Sequence, residues 1–167
     1  MSRYSDDTLV LTLVRQSHAV LDELGLPRTF TIAEVHRSVE RRRGRRIHLI
    51  AHPLPPDGPH GLWVMGETDD YVFYEQAAPP LRKLQIIGHE FGHIVFDDEG
   101  TPVGPQALAA LSGLAPAADS ALSGRGRTLS ACTRTVYDDM VEQRCEWFGS
   151  VMVQRIDHSA PLLLPHR

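Results

Sequence analysis

Five consecutive residues, His89-Glu90-Phe91-Gly92-His93, hold the side chains of this chain best suited to chemistry. On an α-helix, positions four apart lie on one face, so His89 and His93 can offer two imidazoles to a single metal ion. Zinc is the natural guest for such a nitrogen pair. Glu90 directly follows the first histidine, which sets its carboxylate beside the metal's open position, where it can take a proton from water. That division of labour is the one a zinc-dependent hydrolase uses, with His89 and His93 as ligands and Glu90 as general base.

Two histidines leave a catalytic zinc one protein donor short. A metzincin pattern would put Gly three residues after His93 and a third His six residues after it, but those positions hold Phe96 and Glu99. Asp97, four residues after His93, shares its helix face and reads more readily as a carboxylate supporting a ligand than as a ligand itself. The better donor is Glu142, in Glu142-Gln143-Arg144-Cys145-Glu146-Trp147-Phe148-Gly149, because a carboxylate on a second helix packed against the first completes a two-His, one-Glu site. Glu146, one turn later, could orient either imidazole or stand in as the ligand. Cys132 and Cys145, the only cysteines, lack the close pairing of a structural zinc site and are too few for a disulfide framework.

The elements that must position these residues follow from periodicity and punctuation. Residues 5 to 25 read as a helix, with Ser5 as cap, Leu9, Leu13, Val20, Leu21 and Leu24 at helical spacing, and Gly25 and Pro27 as the stop. A second helix starts at Thr31, where Thr31 and Glu34 form a capping-box pattern, and ends near Gly44. Three strand candidates follow, Ile47 to Ala51, Leu62 to Gly66 and Tyr71 to Glu75, the last two joined by a hairpin over Glu67 to Asp70. Pro79 and Pro80 introduce the central helix, Leu81 to Phe96, whose buried side is Leu84, Ile87, Phe91, Ile94 and Val95. Gly88 and Gly92 each cost this helix about 1 kcal/mol relative to Ala, which implies that another element comes close there.

From Asp97 to Ser130 the chain turns to Ala, Gly, Pro and Ser, and reads as a variable, partly mobile insert, with short helical segments near Gln106 to Leu111 and Ala117 to Leu122. A last helix runs from Thr135 to Ile156, and the tail Ser159 to Arg167 is expected to pack on the body. The whole reads as one domain, residues 1–167, of α+β class: a small, mainly antiparallel three-stranded sheet packed on the active-site helix, with flanking N-terminal and C-terminal helices.

Charge narrows the partners. A formal charge of -4 gives no general attraction to nucleic acid or anionic membrane. Arg41, Arg42, Arg43, Arg45 and Arg46 crowd into one short stretch, but without interleaved aromatics they read as a solvated helix end complementing the helix dipole. No apolar run reaches the roughly 20 residues that cross a bilayer, so no membrane contact is expected. The N-terminus does not order its charges as a signal peptide does. His48 and His52 stand four apart in a strand, a span of roughly 13 Å, too wide for one metal, and read as surface residues.

The helix order, the small sheet, HExGH, a variable insert and then a Glu-bearing helix resemble the ImmA/IrrE metallopeptidases over residues 5 to 155. Their second motif reads approximately E-x-x-A-N-x-F-A-x-x-L, and Glu142, Cys145, Glu146, Phe148, Gly149 and Met152 occupy its positions. Cys145 departs from the usual Ala, Glu146 from the usual Asn or Asp, and the closing Leu-Met-Pro is absent. The resemblance implies a zincin-like fold of the gluzincin type, Zn2+ as cofactor, and cytoplasmic proteolysis of a protein substrate. It further implies a helix-turn-helix repressor as partner, as in mobile-element induction, stress response or toxin-antitoxin pairs. The alternative is a non-hydrolytic regulatory module that acts by binding such a protein. For the hydrolase, strand Tyr71 to Glu75 would take substrate by strand addition, and Tyr71, Tyr74, Tyr137 and His158 are the candidates to stabilise an oxyanion.

Overall fold

The structure, a computed structural model, describes residues 3–54, 60–66, 68–98, 101–102, 130–132 and 139–160. Helix α1 spans Arg3–Glu23, so Ser5 lies inside its first turn rather than at its cap. Leu13, Ser17, Val20 and Leu21 recur every three or four residues and form its buried stripe, continued by Leu24 just beyond the helix. Helix α2, Ile32–Arg43, carries the full capping box: Thr31 Oγ1 accepts from the Glu34 N–H at 3.3 Å, and Glu34 Oε2 accepts from the Thr31 N–H at 2.7 Å. Gly44, at φ 71°, ends it by giving its N–H to the Glu40 carbonyl.

Three strands come next: β1, Ile47–His52; β2, Gly61–Met65; and β3, Asp70–Glu75. β2 and β3 are the antiparallel hairpin, closed by the Gly66 N–H on the Asp69 carbonyl at 2.9 Å. β1 pairs with β3 in parallel, Ile47 opposite Asp70, so the sheet is mixed rather than mainly antiparallel among these three strands. Uninterrupted burial from Leu62 to Val64 and from Tyr71 to Tyr74 fits inner strands covered on both faces. Register then sorts the side chains: Ile47, Leu49, Trp63, Val72 and Tyr74 share the face that joins the helical core, while His48, Leu62, Val64, Tyr71 and Phe73 take the other.

Helix α3, Pro80–Val95, starts with Pro at its first position, where the missing N–H goes unneeded. Two short strands, β4 (Thr101–Pro102) and β5 (Ser130–Cys132), then extend the sheet to the order β1-β3-β2-β5-β4 with antiparallel pairing. Their presence is a correction: both ends of the expected insert are strand. The helical segments expected near 106–111 and 117–122 lie outside the described residues, as does most of the tail. Helix α4, Asp139–Arg155, runs antiparallel to α3 and is anchored at its far end, where the Phe30 N–H bonds the Arg155 carbonyl and the Asp157 N–H bonds the Phe30 carbonyl.

The two central glycines answer to this helix pair. A Cβ on Gly88 would lie 2.8 Å from the Gly149 Cα, and one on Gly92 would lie 3.0 Å from the Cys145 Cα. Small residues at 88, 92, 145 and 149 therefore let the two backbones touch along one seam. Phe91, Phe148, Ile87 and Met152, all fully buried, pack around it, each contributing about 1.5–3 kcal/mol through burial.

The arginine cluster divides: Arg41, Arg42 and Arg46 are exposed at the helix end as expected, whereas Arg43 and Arg45 turn inward to a buried acid. Asp70, fully buried at the start of β3, is held by Arg43 Nε at 2.9 Å and Arg45 Nη1 at 3.0 Å, and it accepts from the Trp63 indole at 3.3 Å. Arg42 pairs with Glu23 and Arg41 donates to Ser38. A polar side chain buried in a sheet is costly unless it is paired, and here the partners come from the residues on either side of a helix cap. No helix among the described residues is long and apolar enough to cross a membrane.

Candidate metal centre

The seam between α3 and α4 determines what meets what. Gly92 against Cys145 places Glu142, one helical turn before Cys145, opposite the histidine face of α3. His89 Nε2 and His93 Nε2 lie 3.1 Å apart. Glu142 faces both, Oε2 at 3.4 Å from His89 Nε2 and Oε1 at 3.6 Å from His93 Nε2. The ligand set expected from the sequence is thus brought together, with His93 fully buried and His89 and Glu142 partly open.

Zinc demands a definite spacing of its donors. Four donors held tetrahedrally at about 2.05 Å stand about 3.3 Å from one another. The 3.1 Å between the two imidazole nitrogens is close to that value, as are the separate approaches of Glu142 Oε2 to His89 and of Oε1 to His93, and one donor atom from each residue lies within 4.8 Å of the others. Donor chemistry agrees: two imidazoles and a carboxylate suit zinc and leave a fourth position for water. Burial pulls the His89 pKa down, but the Glu142 hydrogen bond and the charges of Glu90, Glu142 and Glu146 outweigh it, so the net shift is upward. A proton and a cation therefore compete for the same nitrogen.

Glu90 points away from bulk water, with 4% of its surface exposed. Burial pushes its carboxyl up to about 7, against the opposing pull of His89 and His93, while Glu142 adds to the rise and the Trp63 main-chain N–H opposes it. Its Oε2 has no hydrogen-bond partner among the described residues. Gly61, at the start of β2, makes the space: a Cβ there would lie 2.6 Å from Glu90 Oε1 and 2.6 Å from Ile86. Motif and periodicity do not single out Gly61, whose only signal in the sequence is a glycine opening a strand.

The supporting carboxylate is Asp98, not Asp97. Asp97 adopts φ 56° just past the helix, its N–H on the Ile94 carbonyl, and the Asp98 N–H returns to the His93 carbonyl. That pairing is a Schellman motif, which folds the second residue after the helix back over the last turn. Here the folded-back side chain is Asp98, whose Oδ2 accepts from His93 Nδ1 at 3.1 Å, leaving the Nε2 lone pair for the centre. Asp97 instead extends an exposed carboxylate to Arg43. Asp can occupy the left-handed conformation more easily than most residues, so Asp97 followed by Asp98 is the signal the sequence holds.

Arg144 bonds Asp98 and lies over the Phe96 ring at 4.3 Å. Burial raises the Asp98 pKa, but the His93 hydrogen bond and the Arg144 charge bring it below its ordinary value. Cys145 Sγ, 3.4 Å from His93 Nδ1, forms a second cluster with His93 and Asp98. Burial, with the Asp98 charge, drives that thiol's pKa well upward, and the side chain fills the space against Gly92. Asp98→Asn is expected to lower zinc affinity roughly 10- to 100-fold in a chelator competition, whereas Asp97→Gly leaves it unchanged and keeps the helix end. Equal losses would return Asp97 to the supporting role.

The remaining candidates separate by position. Glu146 is exposed and acts on His89 through its charge. Tyr71 is on the sheet face away from the helices, stacked on His48. Tyr74 lies opposite Gly61 on the helix-facing side and is buried, which raises its phenol pKa. His158 follows the far end of α4, on the order of 20 Å along the helix from Glu142, and cannot serve the centre. Tyr137 falls outside the described residues. β3 cannot take a substrate strand, because β1 and β2 occupy both its edges. No protein-family model, no curated protein and no solved structure matches the chain.

Proposed function

We propose that the protein is a cytoplasmic, zinc-dependent metallopeptidase of zincin-like fold that hydrolyses a peptide bond in a protein substrate. The observation that carries this reading is the convergence of His89, His93 and Glu142, whose donor atoms lie within 4.8 Å of one another beside the buried carboxylate of Glu90. The likeness of HEFGH and the Glu142 helix to the ImmA/IrrE pattern extends the reading to a helix-turn-helix repressor as substrate.

His89 Nε2, His93 Nε2 and one Glu142 oxygen would hold the ion, with Asp98 fixing the His93 ring. Bound zinc supplies Lewis acidity, acidifying water and polarising a carbonyl. Glu90 does the proton work: its unpartnered Oε2 accepts a proton from the attacking water and later delivers it to the leaving amine nitrogen. A pKa near 7 lets one carboxyl both take and give that proton, and a nearby cation would lower it further toward the base. Packing of Gly61 against Glu90 keeps the carboxylate in one place during both transfers.

Glu90→Gln tests the scheme. Zinc-loaded wild type incubated with a proteome-derived peptide library is expected to generate new N-termini, and Glu90→Gln to generate them at least ~1000-fold more slowly with the same zinc content. Wild type that cuts no faster than Glu90→Gln would leave a binding module as the better reading.

A further inference from the structure

β2 meets the centre at Glu90, and the chain covers its outer edge with a piece of itself. Glu90 meets β2 at Gly61, where a Cβ would stand 2.6 Å from Oε1, and the Trp63 main-chain N–H acts on the same carboxylate. The outer edges of β1 and β4 each lie two strand positions from β2, and β3 is flanked on both sides. Among the described strands, the outer edge of β2 is therefore the one along which an extended peptide would pair beside Glu90. That edge is where β5 sits, Trp63 opposite Cys132, Val64 opposite Ala131 and Met65 opposite Ser130.

We propose that β5 is an internal occupant of the peptide-binding edge, and that a substrate strand enters by displacing it and runs antiparallel to β2 as β5 does. The inference rests on the peptidase reading of the same centre. β5 suits a displaceable role: it is three residues long, and its other neighbour, β4, is two residues long and ends in Pro102, which has no N–H to give. Strand exchange replaces main-chain hydrogen bonds with equivalent ones, so the intruding peptide needs no new type of interaction.

Binding can be read without turnover in zinc-loaded Glu90→Gln. The probe is a fluorescein-labelled peptide with the sequence of residues 128–134, followed by anisotropy. Adding Ala131→Pro, which removes an N–H from β5, is expected to lower the peptide's Kd at least ~10-fold; an unchanged Kd overturns the proposal. Should the doubly substituted protein fold poorly, amide exchange in Glu90→Gln with its native β5 decides. Saturating peptide should accelerate exchange at 130–132 while Trp63 to Met65 stay protected, and no acceleration overturns the proposal. Cleavage distinguishes the two readings: equal rates in wild type and Ala131→Pro would reject the displaced strand while retaining the peptidase.

Discussion

Glu142→Ala is expected to weaken zinc binding by at least ~100-fold in competition with a fluorescent chelator, and Glu146→Ala by less than about threefold. The first change removes the carboxylate from a set whose other members are imidazoles, and it opens the site on its α4 side. Losing a support behind a ligand costs roughly 10- to 100-fold, so losing the ligand itself should exceed that range; 100-fold corresponds to about 2.8 kcal/mol. Glu146 is exposed, and its effect on His89 passes through solvent-screened charge alone. The opposite ranking, with zinc lost in Glu146→Ala and kept in Glu142→Ala, would move the third ligand one turn along α4.

Glu90→Gln should also make the metal-free protein more stable at pH 8, by about 3 kcal/mol, while leaving it equal to wild type at pH 4. The sign follows from burial. The unfolded carboxyl titrates near its ordinary value of 4.5 and the folded one is pushed up to about 7. Between those values the folded state binds more protons than the unfolded state, so wild-type stability falls as pH rises through the window and stays low above it. Glutamine keeps the shape and has no charge to desolvate. The magnitude is the gap between 4.5 and about 7, taken at about 1.4 kcal/mol per pH unit, which for a domain of this size shifts Tm by roughly 6–12 °C. Melts of chelator-treated protein across pH 4–8 provide the check, and parallel pH profiles for the two proteins would refute the buried, raised carboxyl. Holding a carboxyl near neutrality inside the metal-free fold thus costs stability, because that fold favours its protonated form.

Much of the centre is legible in the sequence because helices make spacing into geometry. His89 and His93 four apart share a face in any α-helix, and Thr31 with Glu34 specifies a cap that the chain forms. Glu142 is reachable because Gly88 and Gly92 imply a close neighbour, and a helix with Cys145 and Gly149 supplies one. Sheet order is not legible. Alternation tells which face a residue takes but not which strands adjoin, so the parallel pairing of β1 with β3 and the covering of β2 by β5 depend on partners distant in sequence. Asp98 escapes for a different reason: it owes its place to one left-handed residue, and periodicity stops having meaning where a helix ends. Arg43 and Arg45 mislead because the acid they pair with, Asp70, lies in a strand rather than beside them in sequence.

Thr101 stands opposite Ala131 and Pro102 opposite Ser130, so the two ends of a long stretch of chain emerge side by side from one edge of the sheet. Closing such a stretch costs free energy that grows only with the logarithm of its length, about 0.6 kcal/mol for each doubling. The distance between its ends is set by strand spacing and is indifferent to how many residues lie between them. This doorway is therefore where the gene can gain or lose sequence with least effect on the body: a reporter domain whose own termini lie close together should graft between 102 and 130 and leave the His89–Glu142 geometry as it was.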